Sequence, residues 1–462
     1  MSIAFQSAET PHTALVKAFA ISGAASVLVF IGLLGALGTP LTPFALTAGA
    51  ALFVWLAFSY PMGGLGIFLL WIPVHTLAFL IAKFFGPSYI GVLEGSDRVL
   101  LLFLTFVLWR KNGVQFSTPD WLLLTCFGLA AAHLIFSGNI LALLSDFNFM
   151  IAYAAGRVAV LNVESENKWA NRAVWTVAAL AVFGMIEVFV IGEGPRTVLY
   201  LAVGRGGTQD GALDAAFHGQ SYSWMRESST MFGPLQFAPL CMAALIIWWV
   251  YSRKLLPGAM IAAGLICSVT RSAWLGSAVA LSALAVLMGQ TRRFLQYGAI
   301  LLALFIAAIP LLGLTDYLVS TKTGQDASAQ GHQESILDGI QYMAHHPLGV
   351  GPGNAGKFAL DEGTAFSVEN SYLTMAAEYG ILTALCFVGF MVSVVRTLWR
   401  QKTGLAFVAI GIVLGFGIVM VFAALHDVFP LACWLWFPVG LAIRSASQPE
   451  ASNETAIPSE VL

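Results

Sequence analysis

The sequence predicts an all-α fold: a polytopic bundle of about 12–14 transmembrane helices, with one long late loop that carries a short amphipathic helix. Three observations predict it. Hydrophobic residues make up 58% of the 462 positions and charged residues only 10%, against roughly 25% charged in a soluble domain. Mean hydropathy is +0.81. Apolar stretches also follow one another along nearly the whole chain, most of them near the ~20 residues that cross ~30 Å of hydrocarbon. Lipid offers no partner to an open backbone group, so each stretch pairs its own amides and becomes a helix.

In chain order the stretches lie near 15–38, 41–59, 62–85, 97–109, 119–137, 140–161, 173–192, 231–251, 256–270, 272–289, 295–314, 371–395, 403–424 and 428–444. Those at 97–109, 256–270 and 428–444 are short for a full crossing and are candidates for re-entrant segments. The first stretch is long and runs on into further apolar sequence, so it reads as a retained helix and not a cleaved leader. One bundle is expected over 1–444. The Ser/Pro/Glu-rich segment 445–462 is expected to be a disordered cytoplasmic tail.

Basic residues orient the bundle, because Lys and Arg crowd cytoplasmic loops. Counting through the stretches puts Lys17, Arg110, Lys111, Lys168, Arg172, Arg253, Lys254, Arg292, Arg293, Arg396, Arg400, Lys402 and Arg444 on one side. Both termini are then cytoplasmic. The opposite face holds the two long loops, 193–230 and 315–370, and mainly Arg98, Arg196, Arg205, Arg226, Lys322 and Lys357.

Other classes are excluded. A net charge of −2 gives no electrostatic footprint for nucleic acid. Cys126, Cys241, Cys267, Cys386 and Cys433 fall inside apolar runs without metal-ligand or CxxC spacing and read as small hydrophobes. His345 and His346 are adjacent and point about 100° apart on a helix, so no metal pair is expected there. His75, His133 and the His426–Asp427 pair carry no assigned chemistry.

The outside loops concentrate the unusual residues. Arg226 opens the run Arg226-Glu227-Ser228-Ser229-Thr230-Met231-Phe232-Gly233-Pro234 before a helix, and Arg271 sits in the tight turn Ser268-Val269-Thr270-Arg271-Ser272. Arginines at helix ends can simply snorkel. Two of them on the face that should be poor in cations point instead to an anionic ligand, and the planar guanidinium fits phosphate oxygens. In the late loop, Ile336, Leu337, Ile340 and Met343 fall at helical spacing, so 333–344 reads as an amphipathic helix lying on the bundle. Gly349, Gly351 and Gly353, followed by Asn354, call for turns with unusual backbone angles. No strand precedes them, so a nucleotide P-loop does not fit. Glu369, with Asn370 and Ser371, opens the next helix. It is either an N-terminal cap or a general base at the membrane surface.

Residues 331–383 resemble the core of the O-antigen ligase / O-antigen polymerase superfamily. That family's loop runs as an Arg, a short helix, then P-L-x-G-V-G-x-G, and Pro347 to Gly353 here reads PLGVGPG. The family resumes with His and a small polar residue, nine residues, Gly, two residues, and a small residue or Tyr. Glu369-Asn370, Gly380 and Thr383 fill that frame. Arg271 and Arg226 resemble the family's upstream outside arginines. Two positions depart: Glu369 stands where the family has His, and His332 where the loop usually has Arg.

The resemblance implies an inner-membrane glycosyltransferase with its active site in the periplasm, needing no metal and no cofactor. Its donor would be an undecaprenyl-pyrophosphate-linked glycan and its acceptor a glycan or glycolipid, with the lipid bilayer as a partner and a chain-length regulator as a candidate partner. Arg226 and Arg271 would hold the pyrophosphate, Glu369 with His332 would activate the acceptor hydroxyl, and Gly349, Gly351, Gly353, Asn354 and Asn370 would shape the glycan loop. Polymerisation of O-antigen or exopolysaccharide repeat units is the first reading, and transfer of the glycan to an acceptor such as lipid A core the second. A polysaccharide or glycolipid transporter is the alternative from another class; it predicts charged or broken helices near mid-membrane.

Overall fold

The computed structural model of the chain describes residues 42–85, 90–137, 139–202, 226–231, 233–252, 254–299, 306, 327–355 and 368–447. Among these residues the regular structure is helical and no strand is present. The expected span at 15–38, most of 295–314 and the tail beyond residue 447 lie outside the described residues.

The N-terminal half begins with α1 (Thr42–Ser59), α2 (Pro61–Phe85), α3 (Ile90–Asn112) and α4 (Thr118–Ala132), and a short turn of helix, α5 (Leu134–Ser137), follows α4. The stretch at 97–109 is therefore not short. Its helix starts seven residues earlier, because Glu94, Asp97 and Arg98 lowered its hydropathy without breaking it, and buried Asp97 faces His75 at 3.8 Å. The single span expected at 140–161 is two helices, α6 (Ile140–Asp146) and α7 (Phe149–Val158). Next comes α8 (Val163–Ile186), which ends in a π-helical turn, Glu187–Ile191, and α9 (Gly194–Ala202) lies inside the first long loop.

The C-terminal half consists of α10 (Pro234–Tyr251), α11 (Leu255–Cys267), α12 (Arg271–Leu287), a helix over 291–299 (α13), α14 (Ala327–His345), α15 (Ser371–Tyr379), α16 (Ile381–Leu398), α17 (Gly404–Phe422) and α18 (Phe429–Ser447). The span expected at 371–395 is broken at Gly380, whose φ of 85° no helix accepts. The last helix runs to Ser447, three residues beyond the expected end of the bundle at 444. Among the described residues, five helices are long and apolar enough to cross a membrane on their own: Val163–Ile191, Pro234–Tyr251, Ile381–Leu398, Gly404–Phe422 and Phe429–Ser447.

Packing follows membrane rules. Lipid is as apolar as leucine, so helices associate where small residues let backbones approach. The tightest pair is α7 against α18. A Cβ on Gly156 would run into the Phe437 carbonyl, and one on Gly440 into the Tyr153 carbonyl. Gly276 of α12 and Gly415 of α17 make a second such crossing, where a Cβ on Gly276 would lie 2.5 Å from the Gly415 carbonyl. Between these crossings sits an aromatic core of Phe149, Phe387, Phe390 and Trp436, with ring centroids 5.3–6.2 Å apart. Large apolar side chains such as Trp55, Phe58, Leu102, Phe106 and Val392 face outward, as a bilayer requires.

One end of the bundle is closed by ion pairing. Arg157 grips Asp120 with two hydrogen bonds of 2.9 Å, and Tyr153 donates to the same carboxylate at 2.8 Å. Arg444 donates to the carbonyls of Gly113 and Arg157, both at 2.8 Å. This brings Arg444 to the end that also carries Arg110 and Lys111, as the grouping of basic residues predicted.

The glycine crossings give a direct expectation. Gly440→Ala or Gly156→Ala forces backbone apart in α7–α18 and should cost about 1–3 kcal/mol, read as a lower unfolding temperature of the detergent-purified chain. Gly389→Ala, with open space where its Cβ would stand, should not lower that temperature, since alanine suits a helix interior better than glycine.

Candidate functional site

The segment 226–231 is not helical, yet nearly every residue in it is tied down. The Glu227 amide donates to the Cys267 carbonyl at 3.0 Å. The Ser229 hydroxyl donates to the Leu180 carbonyl at 2.7 Å and the Thr230 hydroxyl to the Pro73 carbonyl at 2.6 Å. Buried Arg196 clasps Glu187 at 2.6 and 2.8 Å and also donates to the carbonyls of Met231, at 3.0 Å, and Ser229. The segment is a strap fastened to α2, α8 and its π turn, α9 and α11.

The strap fixes Arg226 against the turn that leads to Arg271. Its guanidinium donates to the carbonyls of Ser268 and Val269 at 3.1 and 3.2 Å and to the Thr270 hydroxyl at 3.3 Å. Arg271 is the first residue of α12. Val269 has φ 47° and Ser229 φ 51°, and a β-branched residue in that region is strained. The two arginines thus share one over-determined turn, although 45 positions separate them in sequence.

The other predicted residues meet in the late loop. The amphipathic helix is α14, six residues longer at its start than the expected 333–344. It docks on residues 368–373 through Gly339, where a Cβ would press on Val368 and Leu373 at 3.0–3.1 Å. The Glu369 amide donates to the Ser335 hydroxyl at 3.1 Å. One turn back on α14, His332 Nδ1 lies 2.5 Å from Glu369 Oε2. Helix capping falls to Asn370, whose side chain accepts from the amides of Tyr372 and Leu373 at 2.9 and 3.0 Å. Glu369 is therefore not the cap. Its carboxylate is exposed and committed to His332, whose hydrogen bond holds its pKa below the usual glutamate range.

The glycine loop adopts the unusual angles its composition asked for, with φ 85°, 95° and 82° at Gly349, Gly351 and Gly353. It is stitched into the break between α15 and α16. The amides of Val350 and Gly351 donate to Ala377 and Glu378 carbonyls at 2.9 and 2.8 Å, and the Ile381 amide to the Pro347 carbonyl at 3.0 Å. A Cβ on Gly349 would lie 2.5 Å from the Gly380 nitrogen, and one on Gly380 2.7 Å from the Leu348 carbonyl. Asn354 is exposed and donates to the Val350 carbonyl at 2.9 Å.

Both groups occupy one end of the bundle. Asn370 donates to the Val421 carbonyl at 2.9 Å, in the last turn of α17. The Gly276–Gly415 crossing sets the first turns of α12, which begins at Arg271, against that same half of α17. His345 and His346 make separate contacts. His345 Nδ1 contacts the Gln341 carbonyl at 2.8 Å, and His346 packs on Tyr342.

Three buried polar features were not legible in the sequence. Arg196 was counted only as an outside cation, but it pairs with Glu187. Asp146 accepts from the Tyr379 hydroxyl at 2.6 Å and shares a hydrogen bond with Glu378, with His426 buried nearby. These groups lie beneath the glycine loop, where α6–α7, α15–α16 and α17–α18 are all interrupted. Glu227 is 0% exposed and neither carboxyl oxygen has a hydrogen-bond partner. Its side chain fills the space that Gly184 and Gly264 leave between α8 and α11. Burial, and then the nearby Glu187, push its pKa up to about 9. Interruptions in hydropathy are the one sequence signal that marks such places.

Residues 256–388 match the family model described as O-antigen ligase. The match contains Arg271, α14, the glycine loop, Glu369 and Gly380, whereas Arg226 lies outside it. No curated protein matches the chain.

Glu227 sets a pH dependence. An acid whose folded pKa is raised from 4.5 to about 9 leaves stability intact below the lower value. It costs progressively more as pH rises between the two, since the unfolded chain releases its proton first. The unfolding temperature of the wild-type chain should fall across that window. Glu227→Gln, neutral and of the same shape, should flatten the curve and raise the midpoint at pH 8; an unchanged slope would show that Glu227 is not buried as a neutral acid.

Proposed function

We propose that the chain, whose residues 256–388 match the O-antigen ligase family model, is a glycan transferase that polymerises undecaprenyl-pyrophosphate-linked repeat units of O-antigen or exopolysaccharide on the periplasmic side of the inner membrane. The observation that carries this reading is the His332–Glu369 pair, at the same bundle end as the Arg226–Arg271 turn. That combination offers a proton acceptor and an anion clamp, the two things that displacement at a sugar carbon with a pyrophosphate leaving group needs.

In this mechanism the donor's polyprenyl chain stays in the bilayer and its pyrophosphate meets Arg226 and Arg271. The acceptor hydroxyl is aligned by the glycine loop and loses its proton to the His332–Glu369 pair. Its oxygen bonds to the anomeric carbon as the bond to the pyrophosphate oxygen breaks. The negative charge left on the pyrophosphate is held by the guanidinium groups. The negative charge of Glu369 would repel a phosphate, and pairing with His332 keeps it local.

A ligase is the second reading, and the description of the matching family favours it. Both reactions use the same donor and differ in the acceptor. A transporter would place its broken helices around a mid-membrane cavity. Here the interruptions at 147–148, 268–270, 380 and 423–428 gather with the arginines and the glycine loop, which supports chemistry at a surface.

Deletion-strain complementation tests the reading. Arg271→Ala, His332→Ala and Glu369→Ala should each reduce long-chain surface polysaccharide at least tenfold at normal membrane levels of protein; normal amount and chain length would overturn the site. Single repeats still attached to their acceptor indicate the polymerase. Loss of attached glycan with long lipid-linked chains accumulating indicates the ligase. In vitro, activity should fall at low pH as Glu369 protonates and the pair is lost, and Glu369→Gln should be low at every pH.

A further inference from the structure

A groove of about 780 Å³ lies between α16 and α17, away from the residues discussed so far. Met391, Val392 and Val395 form one wall, Val413, Leu414 and Ile418 the other, and Gly417 leaves space in the floor. Arg396, Trp399 and Arg400 close one end. Val392, Arg396 and Arg400 are spaced four residues apart and so lie along one stripe of α16 and the turn that follows it. Arg396 and Arg400 are exposed, and neither is paired with a carboxylate among the described residues. Trp399 is 57% exposed beside them.

Charge complementarity decides what fits. The groove opens on a lipid-facing side, since Leu382, Leu385, Val388 and Val392 along α16 are all exposed. An apolar slot there takes a hydrocarbon chain. Two arginines at its mouth, with an interfacial tryptophan, select an anionic head group at the depth where lipid phosphates sit. α16 begins at the glycine-loop break and its 18 residues rise roughly 27 Å, so this mouth belongs to the opposite leaflet from the Arg226–Arg271 turn.

We propose that the α16–α17 groove is a binding site for an anionic glycerophospholipid, one acyl chain lying along Val392, Val413 and Ile418 and the phosphate held by Arg396 and Arg400. The inner end of the groove reaches Gly417, whose carbonyl accepts from the Tyr372 hydroxyl at 3.0 Å. Tyr372 stands two residues past the Asn370 cap, so a lipid in the groove braces the helix that Asn370 caps. The site does not depend on the glycan-transfer reading.

Native mass spectrometry of the purified full-length chain tests this, titrating phosphatidylglycerol, phosphatidylcholine and polyprenyl monophosphate separately. Phosphatidylglycerol should be retained at tenfold or lower concentration than phosphatidylcholine, and Arg396→Ala with Arg400→Ala should erase that preference. Gly417→Leu, which fills the groove and leaves both arginines in place, should weaken phosphatidylglycerol retention by a similar factor. Equal retention of the two phospholipids, or a preference that survives both changes, overturns the site. Tighter retention of polyprenyl monophosphate than of phosphatidylglycerol overturns the assigned occupant. If the double variant fails to purify, Gly417→Leu and the lipid comparison on the unaltered chain still decide.

Discussion

Inside a bilayer a helix cannot be interrupted without finding new partners for the amides and carbonyls that the interruption frees. This constraint governs the functional end of the molecule. Helices stop at 147–148, 268–270, 380 and 423–428, and each stop is repaired by another segment. Gly380 is repaired by the 347–351 backbone, the carbonyls at 229 and 231 by Arg196, the Asp427 carbonyl by Asn148 at 2.6 Å, and the Ala423 carbonyl by Ser371 at 2.9 Å. The repairs hold the strap, the arginine turn and the glycine loop in register. Pre-organisation of the candidate site is therefore a by-product of satisfying backbone in lipid.

Close approach makes the repairs possible. Gly349 leaves room for the Gly380 amide and Gly380 for the Leu348 carbonyl, which explains why glycine stands at both positions of the motif. The same device recurs at Gly156–Gly440 and Gly276–Gly415, where helices touch without side chains between them. At Gly184 and Gly264 the space is filled by the Glu227 carboxyl. Its placement beside Arg226 puts a neutral acid on the inner side of the strap and a cation on the outer side.

The pairing of His332 with Glu369 gives physical sense to the two departures from the family pattern. A histidine where the resembled pattern has Arg, and a glutamate where it has His, would each look like a loss. In contact they compensate. The imidazole holds the carboxyl pKa below the usual glutamate range, the carboxylate orients the imidazole, and in the proposed mechanism the pair is the proton acceptor. Docking of α14 through Ser335 and Gly339 is what makes that contact.

By itself the sequence determined that the chain is a helical bundle in lipid, roughly where its apolar helices run, and that the arginines, the PLGVGPG loop and Glu369 are unusual for their surroundings. Burial and period are properties of neighbouring residues, so they survive without a structure. Local angles survive as well: glycine at 349, 351 and 353 announced positive φ because other residues resist it. Only the tertiary structure decided that Asn370 and not Glu369 caps its helix, that Arg226 reaches the turn before Arg271, that Arg196 is buried on Glu187, and that Asp146 meets Glu378 across 232 positions. The reason is physical. A side chain's role there depends on which distant backbone was left unpaired, and hydropathy averaged over a span cannot record a single broken hydrogen bond.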